Sequence, residues 1–314
     1  MPMRFDMNVL DETELIAYAL RELYMQAGYR RYRMSKFEEY DLYSRNKSFL
    51  GTDEIVTFTD TNGKLMALKP DVTLSIIRNT PDGEGAARLC YNENVYRAAK
   101  GGPFKEIMQT GVECIGGVDA SCVSEVVALA ARSLSILGPR WALAVSDVDL
   151  LGAFARRAGL EDETDLVFAL AAQKNLHEIR ALCRRKAVAA DREEALIGLL
   201  SLSCPVLKAP ERIGSLCAMC GVREDIRVLK AVMDRLEAES LSQNVQLDFS
   251  CAGDMRYYNG IIFKGYIEGV SQSVLSGGQY DSLMRRMGKK GGAAGFAVYL
   301  DRLERLEKAG GDRC

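Results

Sequence analysis

Histidine and tryptophan each occur once in this 314-residue sequence, and the single histidine, His177, lies in the polar helical stretch AAQKNLHEIRALCRRK. A Ser-His-Asp or Cys-His arrangement needs a histidine base beside its nucleophile, so hydrolase chemistry of that kind has almost nothing to work with. The same scarcity weakens a zinc reading of Cys217 and Cys220 in LCAMCG. Two more ligands are needed, and His177, Cys204 or Cys251 would have to be brought there by the fold. No metal and no cofactor are expected. The nine cysteines are an odd number without framework-like spacing, and they read as reduced thiols. No apolar run approaches the ~18 residues that span a bilayer. The opening MPMRFDMNVLDETEL has no apolar core of a secretory signal, so a cytoplasmic, membrane-free protein is expected. A net charge of −2 gives no overall attraction for nucleic acid.

What is present is a large apolar fraction, 48%, enough to bury a substantial core. DETELIAYALRELYMQAGYRRYR opens with a cap candidate at Asp11 or Thr13. Leu15, Ile16, Ala19, Leu20 and Leu23 then recur at helical spacing, and Gly28 is a stop. EIVTFTDTNGKLMALKP alternates on both sides of Asn62-Gly63 and predicts a hairpin. A helix is expected from Asp71, paired strands from Leu89 to about Ile115, and a helix over SCVSEVVALAARSLSIL. Residues 151–242 change texture to alanine-, leucine- and charge-rich helical segments, an insertion in which Arg184-Arg185-Lys186 reads as a solvated helix face. Strand texture returns in VQLDFSCAGDMRYYNGIIFKGYIEG. SVLSGGQYDSLMRRMG then reads as a strand, a Gly-Gly turn and a helix, and AAGFAVYLDRLERLEKAG as a final helix. GKKGGAAGF lacks the G-x-x-x-x-G-K-[ST] pattern of a phosphate loop and reads as a flexible turn. The fold class is α+β, an antiparallel sheet with flanking helices and a helical insertion.

The stretch NVYRAAKGGPFKEIMQTGVE carries polar groups in a pattern suited to a small ligand. Residues i and i+4 of a strand share a face, so Gln109 and Glu113 point the same way. Glu113 can accept from an ammonium group, and Gln109 can both donate and accept.

In order along the chain, LKPDVT, VYRAAKGGPFKEIMQTGVECIGG, YYNGIIFKGY, LSGGQYDSLM and GFAVYLDRLERL resemble the histidyl-tRNA synthetases, a class II synthetase family. ALKPDVTLSI, YNENVYR and YYNGIIFKGYIEG look most like its non-catalytic branch, the regulatory subunits of ATP phosphoribosyltransferase. The resemblance implies a class II aminoacyl-tRNA synthetase-like core from residues 1–150 and 243–314, interrupted by the 151–242 insertion. With 12 residues after Arg302, no anticodon-binding domain is expected. It also implies a pocket for free L-histidine. Asp71, Thr73, Gln109 and Glu113 match the positions that hold the amino acid's polar backbone, and Arg97 matches the arginine that reaches its carboxylate. Tyr258 and Tyr280 match the tyrosines around the imidazole, with Gly277 and Gly278 allowing close backbone approach. Each of these alone reads as a sheet residue satisfied by its neighbours; together, in the family's order, they read as a pocket.

The activation chemistry is the part that departs. Stabilising an in-line attack on an α-phosphate needs several cationic groups. Gly253 stands where the family has an arginine, and Arg256 is displaced from it by three residues. Ala99 replaces a glutamate that reads adenine, and Tyr299 replaces a small glycine. Arg302 is retained. Ser35 stands near a family proline at the dimer interface. The expectation is therefore a catalytically inactive regulatory subunit that binds histidine, supports a short-form ATP phosphoribosyltransferase catalytic subunit in a hetero-octamer, and relays feedback inhibition in the first step of histidine biosynthesis. Self-dimerisation through the synthetase-like core is expected, and tRNA binding is not. The alternative is a truncated synthetase core that still makes histidyl-adenylate, against which Gly253, Ala99 and Tyr299 count.

Overall fold

The computed structural model describes residues 9–50, 54–83, 85–98, 102–223, 225–254 and 258–303. Helix α1 (Glu12–Gln26) starts at Asp11, one of the two cap candidates. Asp11 accepts from the Glu14 N–H at 2.7 Å and Glu14 reaches back to the Asp11 N–H at 3.1 Å, which satisfies two donors that a helix end leaves open. Gly28, at φ +86°, turns the chain out of the helix. Strands β1 (Arg30–Arg31) and β2 (Phe37–Glu39), short helices α2 (Tyr40–Ser44) and α3 (Lys47–Leu50), and the hairpin β3 (Thr57–Thr59) to β4 (Leu65–Leu68) follow. That hairpin turns at Asn62-Gly63, where Asp60 Oδ1 accepts from the N–H groups of Asn62 and Lys64, both at 2.8 Å. β2, β4 and β3 make a small antiparallel sheet.

Helix α4 (Thr73–Asn79) leads into a long hairpin, β5 (Ala86–Ala98) and β6 (Phe104–Gly116), then helix α5 (Ala120–Leu137) and strand β7 (Trp141–Asp147). Helices α6 (Val148–Arg157), α7 (Thr164–Ala172), α8 (Leu176–Arg185) and α9 (Ala190–Leu200), strand β8 (Ser203–Pro205), and helices α10 (Ala209–Cys220) and α11 (Arg227–Ala238) follow. The chain then adds β9 (Val245–Asp248), a 3₁₀ turn over Phe249–Asp254, β10 (Asn259–Ile267), β11 (Leu275–Gln279), α12 (Asp281–Arg286) and β12 (Gly292–Tyr299).

Nine strands form the main sheet in the order β1-β5-β6-β12-β11-β10-β7-β9-β8. The expected antiparallel sheet is in fact mixed, because β1–β5 and β7–β9 pair in parallel near its two ends. On one face α1 and α5 pack through Leu20, Val127 and Leu134, in a cluster that continues into Phe154, Leu160, Ile179 and Leu196 of the 151–242 segment. The 151–242 segment therefore shares the core of the sheet rather than hanging from it, and its β8 extends the sheet itself. Helix α5 is apolar and long enough to cross a bilayer, but 61% of it is buried, which suits a core helix. Fully burying a side chain such as Val127 or Leu134 contributes roughly 1.5–3 kcal/mol. On the other face a second cluster joins Tyr43, Leu74, Ile77, Tyr91, Tyr280 and Leu283. Here α4, α12 and the small sheet pack on the strands.

Two elements differ from the sequence reading. AAGFAVYL is strand β12, not the start of a helix: it lies between β6 and β11, buried on both faces, so its small residues fill a sheet interior rather than a helix stripe. Gly277-Gly278 is not a turn but the middle of β11. A Cβ at Gly277 would fall on the Gly295 carbonyl oxygen and Phe296 Cβ, and 2.7 Å from Phe263 Cζ. Backbone on one side and a packed ring on the other leave no room to shift. Gly277→Ala is expected to lower stability by about 1–3 kcal/mol, read from the urea midpoint. Gly83→Ala, with nothing within 4 Å, should leave the midpoint unchanged.

Candidate functional site

The hairpin register sets the site. Leu89, Glu113 and Gly295 lie side by side across β5, β6 and β12, and Gly278 of β11 continues the row. Four residues back along β6, Gln109 lies between Glu93 and Tyr299. Gln109 and Glu113 thus share the face covered by α4 and α12, as their spacing requires.

Glu113 is 2% exposed. Its Oε1 accepts from Thr73 Oγ1 at 2.7 Å, and its Oε2 accepts from the Tyr280 hydroxyl. Thr73 is the first residue of α4 and Tyr280 the residue before α12, so both helices must dock for the carboxyl to be bonded. Burial pushes the Glu113 carboxyl up to about 8, against the pull of the Tyr280 and Thr73 hydrogen bonds and with a push from nearby Asp71. Near neutral pH the unliganded group is mostly protonated. It is an acceptor whose ionisation is favoured as soon as a positive charge enters.

Asp71 lies at the start of α4, where Oδ1 accepts from the Leu74 N–H at 2.9 Å. Oδ2 is 3.5 Å from Arg97 Nη2, and Arg97 Nε donates to the Pro70 carbonyl at 2.6 Å. Burial raises the Asp71 carboxyl, opposed by Arg97 and by the backbone N–H groups at the helix start. A negative and a positive group therefore stand together beside Glu113, paired with each other. Gln109 is buried, and no hydrogen bond of its side chain is found among the described residues. Its neighbours are already committed: Glu93 to Lys69 Nζ at 2.5 Å, and Tyr299 to Ser276 Oγ at 2.6 Å.

Of the nine residues singled out from sequence, the fold brings Asp71, Thr73, Arg97, Gln109, Glu113 and Tyr280 to this one face, with Tyr258 packed beside Gly278. Gly278 has its bare Cα toward Tyr258 Cδ1, Ile262 and the Ile261 carbonyl. Gly277 is the exception. It faces Phe263 and Phe296 on the opposite side, so its missing side chain serves sheet packing and not the pocket.

Two residues escaped the sequence reading. A Cβ at Gly295 would fall on Glu113 Oε2, so the carboxyl occupies the space of an absent side chain on the next strand. Only the register reveals this. Tyr91 is buried on the same face, its ring crossing Gly111 so that the hydroxyl would lie 2.8 Å from a Cβ there. For Tyr91 a signal existed: the glycine at the middle same-face position of QTGVE leaves a gap between Gln109 and Glu113 that a neighbour must fill.

Of the residues tied to catalysis, Ala99 and Arg256 lie outside the described residues. Gly253 falls within the 3₁₀ turn Phe249–Asp254. Arg302 stacks over the Tyr299 ring at 4.1 Å, donates to the Ser273 carbonyl and lies 3.3 Å from Ser273 Oγ. Cys217 and Cys220 are buried in α10, and no metal-ligating cluster is found among the described residues.

A carboxyl whose folded-state value is raised stabilises the fold fully below its unfolded value, and that stability is lost as pH rises through the folded one. For Glu113 the window runs from about 4.5 to about 8. Glu113→Gln is expected to reduce the fall in stability across that window. A residual slope belongs to Asp147, which burial raises to about 6, and to Asp71, which burial also raises. Urea midpoints of both proteins across the window measure this; identical slopes would contradict the buried, neutral Glu113.

The sequence model described as Histidyl-tRNA synthetase matches residues 8–303. An ATP phosphoribosyltransferase regulatory subunit from Caldanaerobacter subterraneus subsp. tengcongensis is 31% identical over 295 residues, covering 90% of this chain and 75% of the relative. One from Clostridium kluyveri is 29% identical over 303 residues, covering 90% and 74%. The crystal structure of an ATP phosphoribosyltransferase regulatory subunit/histidyl-tRNA synthetase from Bacillus halodurans C superposes with a TM-score of 0.79 at 25% identity, over 96% of this chain and 82% of that one. The fold also matches a chain of the ATP phosphoribosyl transferase (HisG:HisZ) complex from Thermotoga maritima, with a TM-score of 0.66 at 18% identity, over 92% and 97%. With its class II sheet and the row of residues around Glu113, this chain belongs to the histidyl-tRNA synthetase family, in the group of ATP phosphoribosyltransferase regulatory subunits.

Proposed function

We propose that this chain is the regulatory subunit of an ATP phosphoribosyltransferase, that it binds free L-histidine around Glu113, and that it has no synthetase activity of its own. The observation that carries the reading is the buried Glu113 with the Asp71–Arg97 pair beside it. A free amino acid has one positive and one negative group a few ångströms apart. Its ammonium finds Glu113 and Asp71 as acceptors, and its carboxylate finds Arg97. Entry of the zwitterion exchanges the Asp71–Arg97 pair for two pairs with the ligand. Gln109 offers an uncommitted amide, and Tyr258 and Tyr280 flank the place left for the ring.

Inactivity is supported by what fills the nucleotide half. The Tyr299 ring lies beside Gln109, bonded to Ser276, and Arg302 is stacked on that ring and held by Ser273. A cation so engaged is poorly placed to stabilise a phosphoryl transition state. The relatives' names supply the partner. The catalytic subunit condenses ATP with phosphoribosyl pyrophosphate, and this chain joins it in a hetero-octamer, as a self-dimer through the synthetase-like core and without tRNA.

Histidine can inhibit the partner only by binding two states of the complex with different affinity. The pocket is closed by α4 and α12 against the sheet, and closure around the ligand is a means of telling those states apart. Initial rates of phosphoribosyl-ATP formation test this. The short catalytic subunit should be poorly active alone, active when mixed with this chain, and then inhibited by histidine. Tyr280→Phe should preserve assembly and raise the histidine needed for half-inhibition by about three- to tenfold, the cost of one pocket hydrogen bond. Unchanged inhibition in both Tyr280→Phe and Glu113→Ala complexes would place the histidine sensor elsewhere. The purified chain should also show no histidine-dependent exchange of pyrophosphate into ATP.

A further inference from the structure

Behind the residues that would touch histidine, four chain segments converge on one carboxylate. Asp281, half-buried at the start of α12, accepts on Oδ2 from Asn259 Nδ2 at 3.0 Å and Gln279 Nε2 at 2.9 Å. Its Oδ1 accepts from the Ala293 N–H at 2.9 Å. Asn259 Oδ1 accepts from the Ser282 N–H at 3.3 Å, and the Ala293 carbonyl accepts from the Tyr280 N–H at 2.8 Å. β10, β11, α12 and β12 are thereby tied at one point. The chain makes room for it. The β10–β11 register breaks between Asn259 and Ile262, where Gly260 has φ +62°, and a Cβ there would strike Gln279 Oε1. A Cβ at Gly292 would lie 2.6 Å from Asp281 Oδ1.

The position of this cluster in the chain gives it a meaning beyond stability. Asn259 directly follows Tyr258, and Asp281 directly follows Tyr280. The two side chains that bond each other are the chain neighbours of the two pocket tyrosines. Tyr280 aims its hydroxyl at Glu113, and Tyr258 lies against Gly278 in the adjoining strand.

We propose that Asp281 is a positioning residue of the pocket: by holding Asn259, Gln279 and Ala293 it fixes the separation of Tyr258 and Tyr280, and so the width of the slot for a flat, uncharged five-membered ring and the aim of the Tyr280 hydroxyl. In this role Asp281 acts through the tyrosines, its carboxylate being taken up by Asn259, Gln279 and Ala293. The inference rests on the histidine-binding reading above. An amide at position 281 would set a donor against groups that are all donors, and at least one of the three bonds would be lost. The tyrosines would then be free to move apart.

Calorimetry with L-histidine, on the full chain assembled with the catalytic subunit and across the neutral pH range, tests this. Asp281→Asn should weaken histidine binding about tenfold, the effect of misaiming the Tyr280 hydrogen bond to an ionised Glu113. It should also move the rise of affinity with pH to higher pH, because a loosened Tyr280 no longer favours the ionised form of Glu113. The swapped pair Asn259→Asp with Asp281→Asn, which exchanges donor and acceptor, should recover most of the affinity. Asn259→Ala should act in the same direction more weakly, and it serves if Asp281→Asn fails to fold. Wild-type affinity in Asp281→Asn would overturn the proposal. So would weaker binding with an unmoved pH profile and no recovery in the swapped pair, the behaviour of a merely structural carboxylate. A wild-type complex that binds no histidine would instead overturn the histidine reading, and this inference with it.

Discussion

Placing a carboxyl group inside a β-sheet imposes conditions on everything around it, and Glu113 is that group here. An ionised carboxylate removed from water costs several kcal/mol unless it is paired and hydrogen-bonded. The fold keeps Glu113 largely protonated and gives it two hydroxyl donors, Thr73 and Tyr280. These come from two helices far apart in sequence, so α4 and α12 must both lie against the sheet. The carboxyl also needs volume, which Gly295 on the neighbouring strand leaves open. Gly295 stands there because β12 lies between β6 and β11 in this register.

The second charged feature, Asp71 with Arg97, stands at a different junction. Asp71 begins α4, while Arg97 is near the tip of the β5–β6 hairpin and is also tied to the Pro70 carbonyl. A ligand that draws these two groups apart changes the contact between helix and hairpin. A regulatory ligand must bind two arrangements with different affinity, and we place the difference at this junction. The surroundings of Tyr299 are quieter: Tyr299 bonds Ser276, and Arg302 stacks on its ring and is held by Ser273.

Local rules carried the sequence reading where local rules decide structure. The Asp11 cap, the Asn62-Gly63 hairpin and the shared face of Gln109 and Glu113 are all set by neighbours within a few residues. Most of the candidate site was legible as residues because they lie in short motifs, and register brings them to one face. The failures share a cause. AAGFAVYL has small residues that suit a helix, and only its burial between two strands makes it β12. Gly277-Gly278 has turn composition, and only its partners Phe296 and Gly295 make it a strand. Gly295 and the Asp281 cluster depend on register between strands separated by long stretches of chain, which no window along the sequence contains. The parallel pairs β1–β5 and β7–β9 were missed for the same reason.

The central claim is that a buried, neutral Glu113 becomes charged when an amino acid's ammonium group arrives. Its most direct test is the proton balance of histidine binding, measured by calorimetry near pH 7 in buffers of different ionisation enthalpy. With Glu113 held near 8 in the empty pocket, binding should release close to one proton per site to the buffer, and Glu113→Gln should abolish the release. Histidine binding with no buffer dependence in the wild-type protein would contradict the account, because the ligand's ammonium would then be held by some other group.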